Sequence, residues 1–160
     1  MKITRRKAIQ LAAIAGGSAI LLPMAHQHIS HAVTAGSPQP EPFTVNLPIP
    51  PVLEPVRSDA TTDYYEISIK RNQIEILPGL TTESWGYNGI TPGPTIKQHQ
   101  GRQSVVRLIN NLDASTSTHL HGMASLPQFD GYAEDLSNPG FYKDYIYPNN
   151  RAATFWYHDH

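Results

Sequence analysis

Apolar and polar side chains alternate from Tyr64 onward, with Tyr65, Ile67 and Ile69 on one side and Glu66, Ser68 and Lys70 on the other. A period of two sends successive side chains to opposite faces, which predicts a half-buried strand. Ile74 and Ile76 continue the pattern beyond a turn placed at Arg71-Asn72. Trp85-Gly86-Tyr87-Asn88-Gly89 and Thr91-Pro92-Gly93-Pro94 then form a dense turn signal. Ser104–Ile109 reads as the next strand, closed by Asn110-Asn111, and Thr116–His121 and Ala153–His160 as two shorter ones. Short strands punctuated by Gly, Pro and Asn predict an all-β sandwich or barrel. No internal repeat is visible, and no helix is predicted beyond the first 32 residues.

Two segments precede these strands. Ser37–Pro55 carries seven of the 14 prolines, which excludes helix and central strand and favours an extended arm, taken as residues 33–62. Phe43, Val45, Leu47, Ile49, Val52 and Leu53 make the arm too apolar for a plain linker, so it is expected to lie against the domain. Before it, residues 1–32 read as a cleaved export signal. Lys2, Arg5, Arg6 and Lys7 form a positive start, and Ile9–Leu22 is an uncharged, mostly apolar run of 14 residues. A membrane-spanning helix needs about 20 such residues, so no stable membrane anchor is expected. Ser30-His31-Ala32 and Val33-Thr34-Ala35 both offer small-residue cleavage sites. Thr4-Arg5-Arg6 resembles the twin-arginine signal, whose route exports folded proteins to the periplasm or outside; the same residues also suit an ordinary secretory signal.

Composition narrows the function. The leader holds four of the 12 basic residues and none of the 13 acidic ones, so the rest is mildly acidic, about -5 by count. No basic patch stands out, and a nucleic-acid partner is not expected. There are no cysteines, so stability must come from packing or from metal rather than disulfides.

The chemistry lies in the histidines. His119-Leu120-His121 and His158-Asp159-His160 hold half of the eight in the chain. On a strand, residues two apart share a face, so each pair presents two imidazoles to one surface while Leu120 or Asp159 points away. Were the two strands neighbours, four imidazoles would converge. Imidazole suits copper, zinc, iron and nickel, and spacing alone does not choose among them. His26, His28 and His31 fall around the cleavage region and are left out of the site; His99 sits in a polar turn and reads as a surface residue.

The surrounding motifs add a resemblance. His119-Leu120-His121-Gly122 and Trp156-Tyr157-His158-Asp159-His160 resemble the two N-terminal copper motifs of the multicopper oxidase family. The stretch Trp85–Ile96 is similar to that family's first-domain turn. Leu47-Pro48-Ile49-Pro50, Tyr64-Tyr65-Glu66-Ile67 and Asp130-Gly131-Tyr132 resemble its bacterial spore-coat laccase and bilirubin oxidase branch. The resemblance implies a cupredoxin-like Greek-key barrel or sandwich over residues 63–160, incomplete at its C-terminal end. It implies copper as cofactor, with His119 on the type 2 ion and His121, His158 and His160 on the type 3 pair of a trinuclear centre. O2 and a small-molecule electron donor are the implied partners, together with C-terminal cupredoxin domains of the same protein. Asp130 falls where the family places an acidic residue near the type 2 copper, which makes it a candidate proton relay; it equally suits the start of an Asp-Gly turn.

One departure is large. The type 1 copper of the family needs a cysteine thiolate, and this chain has none. By itself the chain is therefore expected to be inactive as an oxidase and to bind copper weakly at best. A non-catalytic copper-binding protein, a zinc enzyme with Asp130 as base, and a metal-free envelope protein are the competing readings. Phenols, bilirubin-like pigments and metal ions all stay open as electron donors.

Overall fold

The computed structural model describes residues 41–160, so the expected leader, its histidines and the first residues of the arm lie outside the described residues. Seven strands follow one another: β1 (Arg57–Ser58), β2 (Thr62–Leu77), β3 (Leu80–Tyr87), β4 (Gln103–Asn110), β5 (Thr118–His121), β6 (Tyr142–Tyr147) and β7 (Trp156–Asp159). Five form one sheet in the order β1-β2-β4-β6, with β3 paired to β2, and β5 and β7 form a separate two-stranded sheet. The larger sheet curls into a half-barrel.

The predicted alternation is what builds the core. Tyr65, Ile67 and Ile69 of β2 are buried, while Glu66 between them and Lys70 just after are exposed. β2 runs parallel to β4 in a register that sets Tyr65 beside Val106 and Ile67 beside Leu108, and β4 pairs antiparallel with β6, setting Val106 beside Tyr145. These side chains, with Leu112 and Tyr147, form the buried cluster. Each buried aliphatic of this kind contributes roughly 1.5–3 kcal/mol through the apolar area it removes from water.

The opposite face is held by charge. Arg107 of β4 forks onto Asp144 of β6 with two bonds of 2.8 and 2.9 Å. At the mouth of β2, Arg102 donates to both oxygens of Asp63, at 2.6 and 3.0 Å. Those hydrogen bonds hold the Asp63 carboxyl well below its ordinary value of 3.8. The stabilisation is complete above the ordinary carboxylate range and is lost only as the pH falls through the depressed value.

Several expectations need correction. β2 does not turn at Arg71-Asn72 but runs on to Leu77, because both residues find partners as strand residues. The Arg71 guanidinium bonds Glu83 across the hairpin and Asp113 beyond it, and the Asn72 amide donates to the Gly89 carbonyl. The reversal comes instead at Pro78-Gly79, where Gly79 has a φ of 75° that a side-chain-bearing residue rarely adopts. Trp85-Gly86-Tyr87, read as turn, ends strand β3, and Tyr142–Tyr147 is a strand that the sequence reading passed over. A single 3-10 turn, Pro127–Phe129, is the one helical element among the described residues, started by a proline whose missing N–H costs nothing there. In the arm, Val45, Leu47, Ile49 and Val52 are exposed; Leu53 alone packs on the core, held by paired backbone bonds of 2.8 Å between Pro51–Leu53 and Thr95.

Ile67 is 1% exposed at the centre of the cluster. Its replacement by Ala should lower the unfolding free energy by roughly 2–5 kcal/mol, measured by chemical denaturation of the metal-free protein. A loss below about 1 kcal/mol would mean that the sheet's inner face is not the core.

Candidate metal centre

β5 and β7 pair antiparallel with His119 opposite His158 and His121 opposite Trp156. Backbone bonds between Ser117 and His160, at 3.0 and 3.4 Å, carry the ladder one residue further. All four expected histidines therefore lie on one face of a short hairpin-like sheet. Donor atoms of His119, His121 and His158 lie within 4.8 Å of one another. His160 stands outside that tightest group but beside it, with ring centroids 5.6 Å from His119 and 5.1 Å from His158. Trp156 closes the other end, its indole stacked 4.8 Å from the His121 ring and 4.5 Å from His158. His99 is exposed and belongs to none of this.

The reverse face of the same two strands explains why they sit where they do. Leu120 packs against the core cluster. The Tyr145 hydroxyl of β6 accepts the Thr118 N–H at 3.0 Å, the Tyr87 hydroxyl lies 3.3 Å from Thr118 Oγ1, and Tyr157 donates to the Pro94 carbonyl at 2.5 Å. Burial pushes all three phenols above the ordinary tyrosine range, which keeps them neutral hydrogen-bonding groups. Asn110, 1% exposed, ties down the approach to β5 by donating to the Ala114 and Ser137 carbonyls, both at 2.8 Å.

Ring orientation differs among the four. His119 Nδ1 donates to the Asp130 carbonyl at 2.5 Å, and His160 Nδ1 donates to the Gly131 carbonyl at 2.6 Å. Both bonds leave Nε2 free for a metal, the usual division of labour in a histidine ligand. His158 Nδ1 has only the carbonyl of its neighbour Asp159, at 3.2 Å. The Asp130 carboxylate is half exposed, with Oδ1 3.4 Å from His119 Nδ1. Asp130 also ends the 3-10 turn and opens the Asp-Gly turn, the structural one of its two expected roles. A backbone or carboxylate acceptor on one nitrogen of each ring is what a rigid histidine site requires; which carbonyls serve is not legible in the sequence, where the Asp130-Gly131 dipeptide is the one visible signal.

Imidazoles gathered on one face of paired strands define the class: an all-β protein with a candidate metal centre, whose donor set suits copper, zinc, iron or nickel. Comparison with known proteins makes this specific. Residues 68–160 match the family model described as multicopper oxidase, and the chain belongs to that family. It is 46% identical over 142 residues to a bilirubin oxidase of Albifimbria verrucaria, covering 83% of this chain and 25% of that protein. It is 33% identical over 152 residues to a laccase of Bacillus subtilis, covering 75% of this chain and 30% of the relative. Among solved structures, a laccase from Pediococcus acidilactici superposes with a TM-score of 0.66 at 32% identity, over 78% of this chain and 26% of that one. A multicopper oxidase from Campylobacter jejuni, described as a metallo-oxidase, gives 0.64 at 31% over 77% and 26%. The expected cupredoxin-like all-β fold is thereby met. The chain spans about a quarter to a third of the length of these relatives.

Tyr145→Phe removes the acceptor for the buried Thr118 N–H, next to His119. An unpaired buried donor costs about 1–3 kcal/mol, and a loss of that size is expected in chemical denaturation. No measurable loss would show that β5 is not anchored through this hydroxyl.

Proposed function

We propose that this chain supplies half of the histidine ligands of a trinuclear copper centre in a laccase-like multicopper oxidase. In this reading His119 serves the type 2 ion, and His121, His158 and His160 the type 3 pair. The whole protein couples one-electron oxidation of a phenolic or similar donor to four-electron reduction of O2 to water. The observation that carries the reading is the placement of four imidazoles on one face of paired strands, two with Nε2 already freed by carbonyl bonds.

Copper held there would supply the one-electron redox chemistry. The chain's own residues do the positioning and the proton handling. The strands fix the donors, and Trp156 walls the end of the site beside His121. Asp130, with its carboxylate 3.4 Å from the His119 ring, is the group able to pass protons from solvent towards the metal face. The remaining ligands, and the cysteine thiolate that takes electrons from the donor, come from polypeptide other than these residues, since the chain has no cysteine. We further propose export by the twin-arginine route, which fits a protein that acquires copper as it folds. A non-catalytic copper-binding role is the second reading, favoured by that same lack of cysteine.

Metal analysis and electron paramagnetic resonance of the full-length gene product should show copper with a type 2 signal, and O2 uptake with a phenol should follow. The isolated 160-residue chain should take up no O2. Zinc in place of copper, or turnover by the isolated chain, would overturn the proposal.

Asp130→Asn keeps the turn and removes the titrating group. It should slow O2 reduction by roughly 10²–10⁴-fold, the usual contribution of a positioned acid or base, with copper content unchanged. Unaltered turnover across the pH range would remove Asp130 from the proton path.

A further inference from the structure

The Asp130-Gly131 turn does more than place a carboxylate. Its two consecutive carbonyls accept the Nδ1 hydrogens of histidines on two different chain segments, His119 of β5 and His160 just past β7. The Gly131 carbonyl takes a second bond, from the buried Ser117 hydroxyl at 3.1 Å. The two rings so held are nearly parallel, 12° apart. His121 and His158 have no comparable partner: the His158 contact is 3.2 Å to its own neighbour, and His121 rests on the Trp156 ring.

Residue 131 has little freedom to be anything but glycine. Its φ is 68°, in the left-handed region, and a Cβ there would run into the Thr118 carbonyl and the His119 nitrogen. That obstacle is rigid backbone of the very strand that carries His119. A side chain at 131 must therefore lift the turn off β5 and stretch both carbonyl–imidazole bonds together.

We propose that Gly131 is the positioning residue of the centre: its lack of a side chain lets one turn lock His119 and His160 with the hydrogen on Nδ1 and Nε2 bare, while His121 and His158 adapt. The consequence is a division within the ligand set. Two imidazoles are presented ready for metal, one from each His-x-His motif, and two adjust as metal enters. A histidine side chain in water prefers its hydrogen on Nε2, so the locked form is a property of the fold and is present before any metal arrives. Only the copper arm of the test rests on the function proposed above.

The test uses the full-length gene product with its histidines labelled with 15N. In the metal-free protein at mildly alkaline pH, nitrogen NMR should place the hydrogen of His119 and His160 on Nδ1. Gly131→Ala should release both toward the Nε2–H form, weaken Cu(II) binding by roughly 10–100-fold, and change the copper hyperfine pattern. Asp130→Asn retains the carbonyl and should leave both tautomers as they are. Wild-type rings carrying hydrogen on Nε2, or a folded Gly131→Ala protein with wild-type tautomers, would overturn the proposal. If Gly131→Ala does not fold, the wild-type tautomers decide alone. Locked tautomers in a protein that takes up no copper would refute the oxidase reading and leave the positioning role standing.

Discussion

The register between β5 and β7 is the constraint on which the site depends. Because side chains alternate across a strand, a slip of one residue in either strand would turn its imidazoles to the core side. It would drive Leu120 or Tyr157 outward at the same step. The core therefore enforces the chemistry: Leu120 needs apolar surroundings, and the Tyr157 hydroxyl needs the Pro94 carbonyl. Neither need is met in the slipped register. The identity of the residues between the histidines thus matters as much as the histidines, since those residues decide which face the ligands occupy.

A two-stranded sheet of four residues a side is too small to be stable alone. It borrows rigidity from the larger sheet through Tyr145 and Tyr87, which both reach Thr118, and from the turn at Asn110. These bonds surround the residue immediately before His119. The gradient in order runs along the site accordingly. His119, a quarter or less exposed, is fixed at backbone and ring, whereas His121, two residues on, is exposed and stacked only on Trp156. Such a gradient suits a centre that must be accurate where a ligand is preset and yielding where metals and further ligands arrive.

The sequence displayed some of this clearly. Period-two alternation in Tyr65–Lys70 and Ser104–Ile109 identified the two central strands, because each has one face in the core and one in solvent. The His-x-His motifs were legible for the same reason. What escaped was set by partners distant in sequence. Arg71-Asn72 looked like a turn because polar residues favour one, but ion pairing with Asp113 and bonding to Gly89 make them strand residues. Tyr142–Tyr147 carries a charged pair, Lys143-Asp144, that masks its pattern until Arg107 is seen across from Asp144. The apolar arm promised packing that the structure gives to Leu53 alone.

The carbonyl clamp on His119 and His160 was the least legible feature, for a general reason. A backbone carbonyl has no letter of its own, so a site oriented by main chain shows up only as the residue that lets the main chain come close. Here that residue is Gly131, whose φ and tight approach to Thr118 leave no room for a Cβ. Orientation by carbonyls rather than carboxylates has a physical consequence as well. A carbonyl fixes the ring without adding negative charge beside it, so the ligand's hydrogen is held while the charge of the centre is left to the metals and to Asp130. The Asp130 carboxylate is then not needed to hold the His119 ring, because its own backbone carbonyl already does so.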